Sequence, residues 1–260
     1  MTAPWANGLV AVALVSAIPM AVMLVLSAQP ARVHRLVPRL VPLAAGALLG
    51  AAAFHLIPES PTGDASRAAV AAMMGTGLVA FLALDRWLHR GVPPMVVGGS
   101  GAAEWGDVAA AQRAHQLLPL TMAGDALHNV VDGMLVAAAY LDNPSLGLLT
   151  GAAIALHELP RELGTFAILV RGGTSVRGAL LFNALTALGA VGGAVATLAI
   201  GTHVTAFAAA MVPFAAGNFL YLAAAIGLAE FRGAHTRRAL AGKVLVAIAG
   251  LALTAGVFRH

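Results

Sequence analysis

The amino-acid sequence predicts an all-α polytopic membrane protein with eight transmembrane helices and both termini extracytoplasmic. Three observations carry this. Hydrophobic residues make up 60% of the 260 and charged residues only 10%, against about 25% charged in a soluble domain. The chain divides into eight apolar runs near the length of about 20 residues that a helix needs to cross a bilayer. Its basic residues concentrate in alternate connections.

The first span is expected at about 7–28 and contains Pro19; a basic connection with Arg32, His34, Arg35 and Arg39 follows. The second, about 41–58, ends in H-L-I-P-E, so His55 and Glu59 are four apart, on one helical face. Pro61, Gly63 and Asp64 mark a turn. The third, about 68–88, ends in D-R-W-L-H-R, with Trp87 at an interfacial position. A flexible Gly-rich cytoplasmic loop is expected over about 90–115. The fourth and fifth spans, about 117–140 and 146–170, are joined by the short D-N-P-S turn and should be antiparallel neighbours. The last three lie at about 178–201, 204–229 and 239–258, and all eight form one transmembrane domain.

Connections after the odd-numbered spans hold eleven Lys and Arg residues; the opposite side holds two, Arg67 and Arg259. This asymmetry sets the orientation. The same asymmetry accounts for the pI near 10.6, so no nucleic-acid partner is expected and the bilayer is the surrounding medium. The N-terminus has no basic region before Arg32 and does not read as a signal peptide. The absence of cysteine rules out disulfides and thiolate metal sites.

Chemistry concentrates in two stretches, H-N-V-V-D-G at His128–Gly133 and H-E-L-P-R-E-L-G at His157–Gly164. Each histidine lies roughly 16 Å into its span, near the midplane. Asp125, Asp132, Glu158, Arg161 and Glu162 share these two spans. At about 2.5–3.5 kcal/mol per charged residue, burying them unpaired would cost on the order of 12 kcal/mol, so they must meet partners, water or an ion. His128 and Asp132 share a face, as do His157 and Arg161, and Glu158 and Glu162. Imidazole with carboxylate is a ligand set for Zn²⁺, and it also admits Fe²⁺, Mn²⁺, Co²⁺ and Cd²⁺. Pro160 should kink the fifth span. His55 and Glu59, at the outer end of the second span, could guide ions inward or form a solvated helix end. Asp125 lies on an exit route or holds Asn129. Asn183 and Asn218 read as packing groups, and Glu230 as a solvated helix end.

These two motifs resemble the signatures of the ZIP (Zrt/Irt-like) divalent metal transporters. F-H-L-I-P-E at Phe54–Glu59, G-D-A-L-H-N at Gly124–Asn129, F-N-A-L-T-A at Phe182–Ala187 and A-G-N-F-L-Y at Ala216–Tyr221 are similar to further family segments. The resemblance implies a ZIP-like bundle that imports divalent metal, zinc foremost, into the cytoplasm. It also implies a prokaryotic member, multi-pass in the plasma (inner) membrane, and a homodimer. Its two-metal site would map onto His128, Asp132 and His157 for one ion, and onto Asn129, Glu158 and the shared Asp132 for the other. Arg161 departs from the pattern, standing where the family usually has a ligating His or Glu, and Thr165 stands where Asp is frequent. Arg161 is therefore expected to act as a fixed cation in place of a second ion, paired with Glu158 or Glu162. Two rival readings are a ZIP-fold metal-binding protein with impaired transport and an intramembrane zinc hydrolase. The second is weakened because H-E-x-x-H reads H-E-L-P-R here. No enzymatic activity is expected.

Overall fold

A computed structural model describes residues 3–60, 64–88, 90, 108–201, 203–234 and 236–257. Within them every regular element is a helix. The elements are α1 (Ala3–Ser27), α2 (Pro30–Ala51), a π-helical turn (Ala52–Leu56), α3 (Ile57–Glu59), α4 (Asp64–Leu88), α5 (Val108–Asp142), α6 (Pro144–Arg171), α7 (Val176–Ile200), α8 (His203–Arg232) and α9 (Arg237–Val257). Six of these regions (in α1, α2 with its π turn, α4, α7, α8 and α9) are long and apolar enough to cross a membrane. The two long helices outside that set are α5 and α6, which carry the ionisable motif residues. Apolar side chains such as Leu14, Val25, Leu148, Leu188 and Leu245 face outward, as a lipid-facing surface requires.

Several sequence expectations need correction. The Gly-rich connection is shorter than 90–115, because residues 108–115 already belong to α5; residues 91–107 lie outside the described residues. The helix that carries the second span starts at Pro30, ahead of the expected 41, and its apolar stretch is Arg35–Leu56. Pro at the first turn costs no hydrogen bond and pre-sets φ, so Pro30 opens a helix readily. The helix runs on through Pro38 and Pro42. α6 likewise carries Pro160 inside it. Its start is fixed by Asn143, whose side chain accepts a hydrogen bond from the Ser145 backbone N–H at 2.8 Å, the usual way to satisfy an orphan donor. This cap turns the chain between α5 and α6, which pack as antiparallel neighbours.

The helices fall into two groups of four. α1, α5, α6 and α7 pack mainly on one another, as do α2, α4, α8 and α9; the groups meet along α2–α6 and α5–α8. Within the groups, three helix pairs approach through reciprocal glycines. Gly133 of α5 lies against the Ala190 carbonyl and Gly193 of α7 against that of Val130. Gly46 of α2 meets the Ala247 carbonyl and Gly250 of α9 that of Leu43. Gly77 of α4 meets the Phe214 carbonyl and Gly217 of α8 that of Met74. Small residues let backbones come this close, and in lipid close packing replaces the hydrophobic effect as the force between helices.

α4 supplies an internal control. A Cβ at Gly77 would collide with the Phe214 carbonyl, whereas a Cβ at Gly75 meets nothing within 4 Å. Gly77→Ala is expected to destabilise by about 1–3 kcal/mol through overpacking. Gly75→Ala should be neutral or stabilising by up to about 1 kcal/mol through helix propensity. Thermal unfolding in detergent checks this; equal midpoints for the two variants would refute the close contact.

Candidate metal centre

The antiparallel α5–α6 pair brings residues of both motifs together. His128 Nε2 lies 3.2 Å from Asp132 Oδ2 and 3.6 Å from Glu158 Oε1. One donor atom from each of these residues lies within 4.8 Å of the others, and all three residues are buried. Their spacing follows from helix geometry: Asp132 is one turn beyond His128, and Glu158 reaches across from α6. An imidazole nitrogen and two carboxylate oxygens converge here, a donor set suited to a divalent ion of the zinc type.

His128 also faces the other helix group. Its ring lies 4.6 Å from that of Phe219 on α8 and 6.4 Å, edge-on, from that of His55. His55 is 1% exposed, so it is not a solvated helix end; the π turn places it beside the centre. The side chains of His157 and Glu59, both expected to contribute, lie outside the described residues.

Arg161 occupies the floor of the site. It is 2% exposed. Its Nη2 donates to both Glu158 oxygens at 2.6 Å and to Glu162 Oε1 at 2.8 Å, and Nε donates to Glu158 Oε1 at 3.0 Å. Its Nη1 donates to Asp125 Oδ1. The expected pairing with Glu158 and Glu162 is present, and Asp125 is a third partner. Guanidinium has five N–H donors and no lone pair to offer a metal. The side chain therefore satisfies three buried carboxylates and cannot ligate.

A shell of neutral groups completes the arrangement. Asn129 Nδ2 donates to Glu162 Oε1 at 3.2 Å and to the Asp125 backbone carbonyl at 3.1 Å. This supports the expected Asp125–Asn129 link, but Asp125's ion-pair partner is Arg161. Thr165 Oγ1 donates to Asp125 Oδ1 at 3.2 Å. Asn183 on α7 donates from Nδ2 to Glu162 Oε2 at 2.8 Å and to the Met23 sulfur at 3.1 Å. The sequence reading had Asn183 as a packing group only; one amide in an apolar helix gives no sign of its partner. Asn218 does pack, its amide lying against Gly124. Small cavities lined by Ser16, Asn129 and Glu158 open between α1, α5, α6 and α7, so α1 also borders the centre.

Two further expectations change at one end of the bundle. Glu230 is 2% exposed. It is not a solvated helix end: it pairs with Arg171 at 3.3 Å and Lys243 at 2.9 Å. Arg113, expected in a loop, holds Asp85 from α5 at 2.8 Å.

A family model described as "ZIP Zinc transporter" matches residues 100–257, more than half of the chain and both motif helices. The chain belongs to the ZIP zinc transporter family. Three animal members are similar to it. "Zinc transporter zipt-7.1" of Caenorhabditis briggsae is 40% identical over 107 residues, covering 40% of this chain and 27% of that protein. "Zinc transporter SLC39A7" of Homo sapiens is 38% identical over 118 residues, 43% of this chain and 25% of that protein. "Zinc transporter foi" of Drosophila melanogaster is 37% identical over 134 residues, 52% of this chain and 18% of that protein. The chain thus spans about a quarter or less of the length of these ZIP relatives. All three are eukaryotic and give no support to a prokaryotic placement.

Proposed function

We propose that this ZIP family chain carries a divalent metal ion, zinc foremost, across the membrane into the cytoplasm, with His128, Asp132 and Glu158 as ligands. The observation that carries this is the convergence of three buried donor groups on the α5–α6 pair, in a chain of the zinc transporter family. His157, from the same motif, is the fourth ligand, and Asn129 supports the site through Asp125 and Glu162. His55, beside His128 on the other helix group, passes the ion to or from it, with Glu59 further along the same route.

Arg161 supports a single ion, since it cannot ligate and already pairs with Asp125, Glu158 and Glu162. Asp125, Asp132, Glu158 and Glu162 carry four formal negative charges, and Arg161 returns one positive. The net negative charge draws a cation, while the guanidinium holds the space and charge of a second one. Ligand exchange at the midplane would accompany alternating access. Eight spans with both termini outside, a plasma (inner) membrane location and a homodimer complete the proposal. The topology rests on the basic-residue asymmetry; a reporter that works only in the cytoplasm should be silent when fused after His260, and activity there would reverse the orientation.

A reading as a metal-binding protein without transport has one observation in its favour: Arg161 ties Asp125, Glu158 and Glu162 together. Radiometal uptake into proteoliposomes, with competing Fe²⁺, Mn²⁺, Co²⁺ and Cd²⁺, decides between the two. Saturable uptake supports transport and ranks the ions; tight binding without uptake supports the rival. Hydrolysis has no comparable support, since Arg161 occupies the place of a required ligand.

A further inference from the structure

Two ionic clusters lie far from the metal centre, at a single end of the bundle. In the first, Arg113 of α5 donates to Asp85 of α4 at 2.8 and 3.3 Å and to the Tyr221 hydroxyl of α8 at 3.3 Å, while Tyr221 donates to Asp85. In the second, Arg171 of α6 pairs with Glu230 of α8 at 3.3 Å, and Lys243 of α9 holds the same carboxylate at 2.9 Å and the Glu230 carbonyl at 2.8 Å. Because α5 and α6 are antiparallel, Arg113 at the start of one and Arg171 at the end of the other share one face of the bundle. Along their helices Arg113 lies about 22 Å from His128 and Arg171 about 20 Å from Glu158, at 1.5 Å per residue.

The clusters have a common topology. Each takes its arginine from the group that carries the metal centre (α1, α5, α6, α7) and its carboxylate from the other group (α2, α4, α8, α9). Within the groups, three helix pairs are joined by reciprocal glycine contacts; these two clusters tie the groups to each other at this end. Arg113 and Glu230 also border one small cavity, with Val41, Leu117, Ile168 and Ile226 between them. The two clusters thus meet at one cavity on the seam between the groups, through Arg113 of the first and Glu230 of the second.

We propose that the Arg113–Asp85–Tyr221 and Arg171–Glu230–Lys243 clusters are paired latches that hold the two helix groups together at this end and seal the metal centre from it. Ion pairs suit this role. They are directional and can be exchanged for water when the seam parts, unlike interdigitated apolar packing. The inference rests on the transport reading for its purpose, but its test does not require metal.

The chain has no cysteine, so one introduced thiol reports alone. Leu117→Cys, in the seam cavity, should react slowly with a charged thiol reagent. Adding Arg113→Gln and Glu230→Gln should accelerate that reaction at least tenfold. Val136→Cys, on the far side of the centre, should stay slow in both backgrounds. An unchanged rate at position 117, or equal acceleration at 136, overturns the proposal. If the latch variants do not fold, a crosslink decides: Ala114→Cys with Ala229→Cys, both lining the same cavity from opposite groups. Oxidation should form the disulfide and cut uptake to below a tenth, and reductant should restore it. Failure to crosslink, or full uptake when crosslinked, would overturn the latch. If the unmutated protein takes up no metal, the transport reading fails, while the labelling rates still decide whether the end is latched.

Discussion

Replacing His128 or Asp132 with alanine is expected to abolish saturable zinc uptake while leaving folded protein. Each change removes one of three converging donors. Loss of even an outer partner of a metal ligand typically costs 10–100-fold in affinity, so loss of a ligand should cost at least that. His157→Ala should behave in the same way if its imidazole joins the set. Glu162→Gln should be milder, because Glu162 bonds Arg161, Asn129 and Asn183 and does not belong to the converging triad. Uptake in proteoliposomes at several zinc concentrations separates the outcomes. Near-normal uptake by two of the three alanine variants would count decisively against this centre.

The second large effect is expected at Arg161. Arg161→Ala leaves Asp125, Glu158 and Glu162 facing one another without a counter-charge. Removing one partner of a buried pair typically costs about 3–5 kcal/mol, and this residue serves three. The variant should therefore unfold at a markedly lower temperature in chelator, and zinc should restore part of the loss by replacing the missing cation. Arg161→His should go further, because a neutral imidazole offers a lone pair where guanidinium offers none. Bound zinc should rise from one ion to two, with a changed rate or selectivity of transport. Anomalous diffraction reads the count directly. Two well-occupied peaks within about 4 Å of each other in the unmutated protein would end the fixed-cation reading.

Much of the centre was legible because it is local. His128 with Asp132, and Glu158 with Arg161, lie within one helical turn, and periodicity alone places such pairs together. The short Asn143 connection then fixes α5 against α6. What stayed hidden depends on partners distant in sequence. Asp125 and Arg161 are 36 residues apart, and Tyr221 and Asp85 are 136 apart; no spacing rule reports either pair. Glu230 near a helix end reads as solvated because its partners, Arg171 and Lys243, come from two other helices. The start of α5 was misplaced for a related reason. Gln112, Arg113, His115 and Gln116 look like loop polarity, yet Arg113 is held by Asp85 and Tyr221, and His115 Nδ1 lies 2.7 Å from the Gly172 carbonyl. The separation into two helix groups is also invisible to periodicity, although the glycines that stitch each group were present in the composition.

The π turn at Ala52–Leu56 has a consequence of phase. The Ile57 N–H reaches back five residues to the Ala52 carbonyl, so this turn holds one residue more than an α-turn, and π turns recur at functional sites. One residue of an α-helix is about 100° of rotation. Before the turn, Gly46 and Gly50 point at α9; within it, His55 points at His128. The same rod thus keeps one bearing for α9 and another for His128. Passing the Ile57 N–H from the Ala52 to the Ala53 carbonyl would let the surplus residue slide along the helix.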